Sequence, residues 1–503
     1  MTPAGPHGLR VCYHVRTGFE AGCGFLEVLE PAKFVSESFM TASVTVDPLA
    51  PLGRAAAMLR LETLPAPVIQ RAKQRVLDTL GCLVAGYRAG ISDAIRSYVV
   101  AQGGKPEATM LPDGHRTTAG LAGLAHATYI FGLELSDAAP RGTVHPGCEI
   151  VSIAMAVAER EGRGGDAIIP AVAAGYEVEI RFGRAMHPHA FYKGWSTIGL
   201  LGPIGPAVTA GHLIGLDAKG IERTLGTVLS LLPAATGRVH QGGTVKWLVG
   251  GHACATGLLA ADMAARGTAG TSQSANIWLP VISEKNHPER LTEGIAPDGS
   301  FEQWELLSGV LTKYYATVGP LAASLDATFA LLHEHNIQAD DIVEIHADCT
   351  RRTAVFNDPH PVSDHSARGS LPYCIAVAAC KRDPALLLGE AYRADLLRDP
   401  EIAAMADRVR ITQNDEYERQ YPARSLSRIS IRLSNGSVHS KEIDRSGISR
   451  YLEPTDADIE GKFRMIATPV LGEQKAGRVV ALVSRLESLR NVGELVQALQ
   501  PTA

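Results

Sequence analysis

Three observations predict a mainly α-helical protein with a smaller α+β segment set into it. Up to about residue 310, apolar residues recur at helical spacing in runs rich in Ala and Gly. Between about 311 and 448 that period gives way in places to strict alternation, which is the mark of a half-buried strand. From Asp456 to Leu499 the amphipathic helical period returns. The expected organisation is a large helical domain over 44–310 plus 449–503, with an α+β domain over 311–448 inserted between its parts.

Taken in order, residues 1–43 mix Gly, Pro and isolated aromatics without a sustained period, so a poorly ordered extension is expected there. Met40 introduces the regular pattern and is the expected translation start. Val68, Ala72, Val76, Leu80 and Leu83 then fall at spacings of three and four, with Arg71, Lys73, Gln74 and Arg75 on the other side and Gly86 as the stop. Further helices are expected over 119–131, 149–160, 166–184, 204–214, 221–231 and 252–266. Their inner faces carry small residues, which let helix axes approach closely. Val343, Ile345 and Ala347 alternate with polar residues, as do Ile429, Ile431 and Leu433, after which Asn435-Gly436 supplies a hairpin turn. A helix over 371–380 lies between these strands.

Composition narrows the function classes. A formal charge of −5 leaves no basic footprint for nucleic acid. The eight cysteines are scattered with no Cys-x-x-Cys pair, so they are expected to be reduced and mostly buried, in a cytoplasmic protein. No signal peptide and no apolar run long enough to span a bilayer is expected, and hence no membrane partner.

Four places carry chemistry-bearing side chains. Glu134, Asp137, Arg141 and His145 crowd the junction between two apolar helices, where prolines stop either helix from spreading. Such groups either cap helix ends or line a pocket, and a histidine on a turn near a carboxylate suits proton transfer near neutrality. Glycines at 194, 199, 202 and 205 surround Ser196 and Thr197, forming either an anion-cradling turn or a tight packing loop. Lys246 stands among apolar residues just before a small-residue helix, and Lys313 stands where the helical domain gives way to the second one. A lysine in either setting needs an anion if it is buried and is unremarkable if it reaches water. His187-Pro188-His189 lacks a third ligand at a usable spacing, so no metal is expected.

In their shared order these segments resemble the MmgE/PrpD family. The resemblance rests on Leu77 to Cys82, Thr143-Val-His145-Pro146, Gly175-Tyr176-Glu177-Val178 with Arg181, and Gly194-Trp195 with Gly202-Pro203-Ile204-Gly205. It continues through Thr244-Val-Lys246, Lys313-Tyr314, Asp364-His365-Ser366 with Leu371-Pro372-Tyr373, and Tyr421-Pro422 with Ser427-Arg428. It implies a helical domain with an inserted lid, usually a homodimer, acting without a cofactor on a small di- or tricarboxylate. Carried over by position, it places Glu134, His145, Lys246 and Lys313 in catalysis. Arg141, Gly194, Ser196, Thr197 and His365 are expected to line the substrate pocket. Two departures stand out: Ser196 replaces the usual histidine after Gly-Trp, and the spacing from the acidic residue to His145 is one longer. The expected reaction is dehydration or decarboxylation of a citrate-like acid. The alternatives are epimerisation through one α-proton, and a non-catalytic polycarboxylate-binding protein.

Overall fold

The computed structural model describes residues 46–501, apart from 90, 233–242, 272, 422 and 448. The chain divides into two units, Met1–Val46 and Asp47–Ala503, and all that follows concerns the second. The expectation for 1–43 lies outside the described residues.

The chain is mainly α-helical. Its central layer consists of Ala119–Leu133, Pro146–Arg160, Gly165–Met186, Ile204–Ile214, Ala218–Leu231 and Val245–Ala265, which pack on one another through Ala, Gly and Val faces. Small residues permit this approach: a Cβ at Gly251 would stand 2.4 Å from the Leu124 carbonyl oxygen, so Ala119–Leu133 and Val245–Ala265 touch backbone to backbone. Ala66–Gly86 lies against the C-terminal helix Asp456–Leu471, with Phe463 and Ile466 on Gly81. The tail thus returns to the first helical segment.

Helix bounds agree with the expected ones to within a few residues, with two corrections. The helix expected from 252 begins at Val245, which puts Lys246 in its first turn rather than in the loop before it. The side of Ala66–Gly86 expected to be polar and solvated is partly internal: Lys73, Gln74 and Arg75 are all buried, and Arg75 is wholly so. Their partners come from distant segments: Lys73 donates to Glu487, Gln74 to the Pro454 carbonyl and Asp456, and Arg75 to Thr312.

Among the described residues the strands form two sheets. Ala108–Met110 (β1) and His115–Thr117 (β2) make a short antiparallel pair. The larger sheet has the order β4-β3-β5-β6, from Val409–Gln413 (β4), Ile342–Cys349 (β3), Leu426–Leu433 (β5) and Val438–Asp444 (β6). β5 and β6 are joined at Asn435-Gly436, where Gly436 takes φ +86°. β4 runs parallel to β3, and helices Ala322–Glu334 and Leu371–Lys381 pack beside the sheet.

Among the described residues, two helical stretches reach the length and hydropathy of a membrane span, Thr197–Ile214 and Val245–Ala265, contrary to the sequence expectation. Of these windows 83% and 50% are buried inside the protein, as for core helices whose hydropathy comes from Ala, Val, Leu and Ile. Of the cysteines, Cys82, Cys148, Cys254, Cys349 and Cys374 are buried free thiols and Cys380 is half-buried; Cys12 and Cys23 lie outside the described residues.

Candidate active site

The helix Ala119–Leu133 ends in a left-handed cap. Its cap residue is Glu134, with φ +55° and its N–H on the Phe131 carbonyl at 3.2 Å. A residue with a Cβ costs about 1 kcal/mol in that conformation, so other contacts must hold it there. The chain then runs along Leu311: Ala138 and Leu311 exchange both backbone hydrogen bonds, at 3.0 and 2.7 Å. That bridge delivers Lys313, two residues on, to the same spot. Val245–Ala265 packs along Ala119–Leu133 and brings Lys246 from its first turn.

One carboxylate therefore meets two ammonium groups. Lys246 Nζ donates to Glu134 Oε1, and Lys313 Nζ stands 3.8 Å from Glu134 Oε2. Glu134 and Lys313 are 3% and 2% exposed, whereas the Lys246 side chain keeps 20% of its surface. Among the described residues, Lys313 Nζ has no hydrogen-bond acceptor within reach. Burial alone would raise the Glu134 pKa, but Lys246, Lys313 and His145 more than offset it and hold the carboxyl well below its usual range. Burial lowers Lys313 to about 8, against the pull of Glu134 and with Lys246, Arg445 and Lys462 adding to the fall.

His145 flanks this pair. Its Nδ1 lies 2.9 Å from the Asp137 carbonyl oxygen, which only accepts, so Nδ1 carries the hydrogen and Nε2 of the neutral ring is left as an acceptor. Burial and the nearby Lys313 charge lower its pKa to about 4, with Glu134 opposing. The imidazole is neutral at pH 7. Phe131 packs between these groups, its ring 6.0 Å from the His145 ring and 5.7 Å from Lys246 Nζ.

Asp137 organises the loop from beneath. Its carboxylate accepts from the Gly147 N–H at 2.9 Å and from the Tyr176 hydroxyl at 2.6 Å, with Arg75 at 3.9 Å. Gly147 allows this: a Cβ there would meet Asp137 Oδ1, Thr79 Oγ1 and Tyr176 Oη, all within 2.8 Å. Arg75 also donates to Thr312 Oγ1 at 2.9 Å, next to Lys313. Tyr176 belongs to a segment that the resemblance singled out, but Arg75 was hidden among residues expected to face solvent.

The other expected lining residues are less concentrated. His365 is buried with its ring 5.7 Å from that of Trp247, beside Lys246. Ser196 is buried and serves as the N-cap of Thr197–Leu201, its Oγ accepting from the Gly199 N–H at 3.4 Å. Thr197 opens that short helix, and Gly194 precedes it with φ +98°. Arg141 is exposed on the turn before His145. His187 and His189 do not converge: His187 Nδ1 bonds Thr143 Oγ1 at 2.7 Å and His189 Nδ1 bonds Ser283 Oγ at 2.9 Å.

Comparison with known proteins adds an independent line. Residues 51–278 match the MmgE/PrpD N-terminal domain and residues 315–488 the MmgE/PrpD C-terminal domain. A cis-aconitate decarboxylase of Aspergillus terreus is 23% identical over 469 residues, covering 88% of this chain and 94% of the relative. The cis-aconitate decarboxylase-like protein oryM of Aspergillus oryzae is 22% identical, covering 87% and 94%. The human cis-aconitate decarboxylase is 22% identical, covering 88% and 92%.

Proposed function

The chain belongs to the MmgE/PrpD family and is an enzyme of the lyase type, and from that premise we propose that it decarboxylates a small unsaturated tricarboxylate of the cis-aconitate kind. The observation that carries this reading is the pairing of one buried carboxylate, Glu134, with two ammonium groups, Lys246 and Lys313. With both lysines protonated the three side chains sum to +1, and Lys313 has donors to spare. That is a site prepared for an anion of several charges.

The chemistry follows from the charge. A carboxylate next to a carbon attached to a C=C leaves as carbon dioxide. Its bond pair moves through the double bond onto the carbon beside a second carboxylate, and one proton is then added there. The intermediate concentrates negative charge on that second carboxylate, where Lys246 and Lys313 stabilise it. His145 is neutral in the free enzyme, but an entering polyanion favours its protonated form, and the ring then delivers the proton from Nε2. Glu134 holds the two lysines in place and balances their charge between turnovers. His365, Thr197, Gly194, Ser196 and Arg141 complete the pocket in this reading, and no cofactor takes part.

The α+β segment over 311–448 acts as a lid on the helical body, carrying His365 toward Lys246 and excluding water when substrate binds. The enzyme works in the cytoplasm as a homodimer. Val245, Leu248, Leu259 and Met263 lie exposed along one face of the Val245–Ala265 helix, and Ile277 and Val281 are exposed nearby in sequence, which supports a second copy there. Ser196 favours a second reading within catalysis. With its hydroxyl committed to a helix cap rather than supplying a second acid, one proton carrier suffices for epimerisation of a dicarboxylate.

Incubation with di- and tricarboxylates in heavy water, followed by NMR, tests the reading. Loss of carbon dioxide with one deuterium retained in the product supports decarboxylation. Deuterium uptake without loss of carbon supports the epimerase. Binding with neither outcome for any acid overturns both.

A further inference from the structure

The two carbonyl groups on either side of Glu134 are each held by a buried cation from a remote segment. Arg368 Nη1 donates to the Leu133 carbonyl at 2.9 Å, and Lys462 Nζ donates to the Leu135 carbonyl at 3.0 Å. Arg368 is 2% exposed and Lys462 is 4% exposed. Neither cation touches the Glu134 carboxylate. Lys462 is neutralised by Asp78 at 2.6 Å, and Arg368 by Asp364, which its Nε and Nη2 grip as a fork.

Arg368 makes a second bond that Lys462 does not. The same Nη1 reaches the Ala316 carbonyl at 3.2 Å, three residues beyond Lys313, and the Val318 N–H donates to the Arg368 carbonyl at 3.0 Å. The guanidinium lies over the Tyr392 ring, 4.2 Å from its centroid, which fixes its plane. One nitrogen thus ties the end of the helix that presents Glu134 to the segment that presents Lys313.

We infer that Arg368 is a positioning residue that sets the separation of Glu134 and Lys313, with Asp364 holding its fork and Lys462 bracing the other side of the Glu134 turn. Resting on the reading of Lys313 as a substrate-binding cation, the inference adds a group that acts through that lysine and never touches substrate. The left-handed turn at Glu134 gives the clamp its task. A side chain held in an uncommon backbone conformation relaxes when the carbonyl before it loses its donor. A lysine at 368 has a point charge without a fork, and cannot serve Leu133, Ala316 and Asp364 at once.

The experiment follows the titration of Lys313 in the full chain by NMR of ε-carbon-labelled lysine, assigned with Lys313→Arg, in wild type, Arg368→Lys and Asp364→Asn. The charges facing Lys313 are Glu134, Lys246, Arg445 and Lys462, with His145 beside them, and of these Glu134 favours its protonated form. Retreat of Glu134 in Arg368→Lys therefore moves the Lys313 midpoint to lower pH, with a smaller move in Asp364→Asn. Turnover of the best acid falls about 100-fold in kcat/KM, the scale of a 1 Å misplacement. An unchanged Lys313 midpoint in folded Arg368→Lys overturns the inference, whatever the wild type turns over. If the wild type acts on no polycarboxylate, the functional reading fails separately, and the midpoint still decides the clamp. If Arg368→Lys does not fold, Asp364→Asn decides by the same midpoint.

Discussion

Lys313 stands 3.8 Å from the same Glu134 carboxylate whose other oxygen accepts from Lys246. The two lysines are 67 residues apart in the chain and the carboxylate precedes both, so only tertiary packing joins them. Glu134 sits between two cations that repel each other, which is why its own charge is so strongly held.

If Lys313 binds the substrate as proposed, this relationship sets the alkaline limb of activity. Lys313 is cationic below its midpoint of about 8 and neutral above it. Binding of a polyanion therefore weakens as pH rises through that value, and kcat/KM falls with it. Glu134→Gln removes the charge that favours the protonated lysine, so the limb moves to lower pH. A pH–rate profile of both proteins checks the direction; a limb that stays in place or moves upward contradicts the assignment.

Tyr176→Phe removes the hydroxyl that donates to Asp137 Oδ2 at 2.6 Å in a fully buried site. The expected loss is about 1 kcal/mol of stability, read from denaturant unfolding. Turnover also falls, because Asp137 carries the carbonyl that orients His145. Asp137→Asn is more severe, since it leaves the Arg75 guanidinium buried without its counter-charge, at a cost of about 3–5 kcal/mol. Equal stability in the wild type and both variants contradicts this account of the loop.

Glu149 and Glu179 are wholly buried, and burial followed by their mutual repulsion raises the first well above the usual carboxylate range, with burial and Asp137 raising the second. A folded-state pKa above the unfolded one contributes stability that is complete below the unfolded pKa and is lost as pH rises through the folded one. Glu179→Gln, which is neutral throughout, gains on the wild type as pH rises from about 5 to about 8. Thermal melts at those two values measure it; a difference independent of pH shows the carboxyl to be ionised in the fold.

Much of the architecture is legible in the sequence because small-residue helices declare themselves by period. The runs at 119–131 and 204–214 are recoverable from spacing alone, and Asn435-Gly436 marks its hairpin. The four polar side chains at the site stand out as titratable groups among apolar residues, a local signal. What is not legible depends on distant partners. Arg75 looks solvated because its helix face is polar, yet Asp137 and Thr312 cover it. Arg368 gives no signal, since its work is done on the backbone of residues 133 and 316. Strand β4 spans five residues and pairs parallel to β3, a partner its own sequence does not name. Lys246 reads as preceding its helix because Gly250-Gly251 suggests a later start, while packing against Ala119–Leu133 sustains the helix through both glycines.

The central claim is that Lys313 binds and stabilises a multiply charged acid. Steady-state kinetics of Lys313→Met against the wild type, on the tricarboxylate that heavy-water NMR shows to react, tests it most directly. Loss of an ammonium group that stabilises developing charge lowers kcat/KM by about 100- to 1000-fold, with the fold intact by circular dichroism. A folded Lys313→Met protein that retains wild-type kcat/KM within about threefold would remove Lys313 from the chemistry and contradict the account.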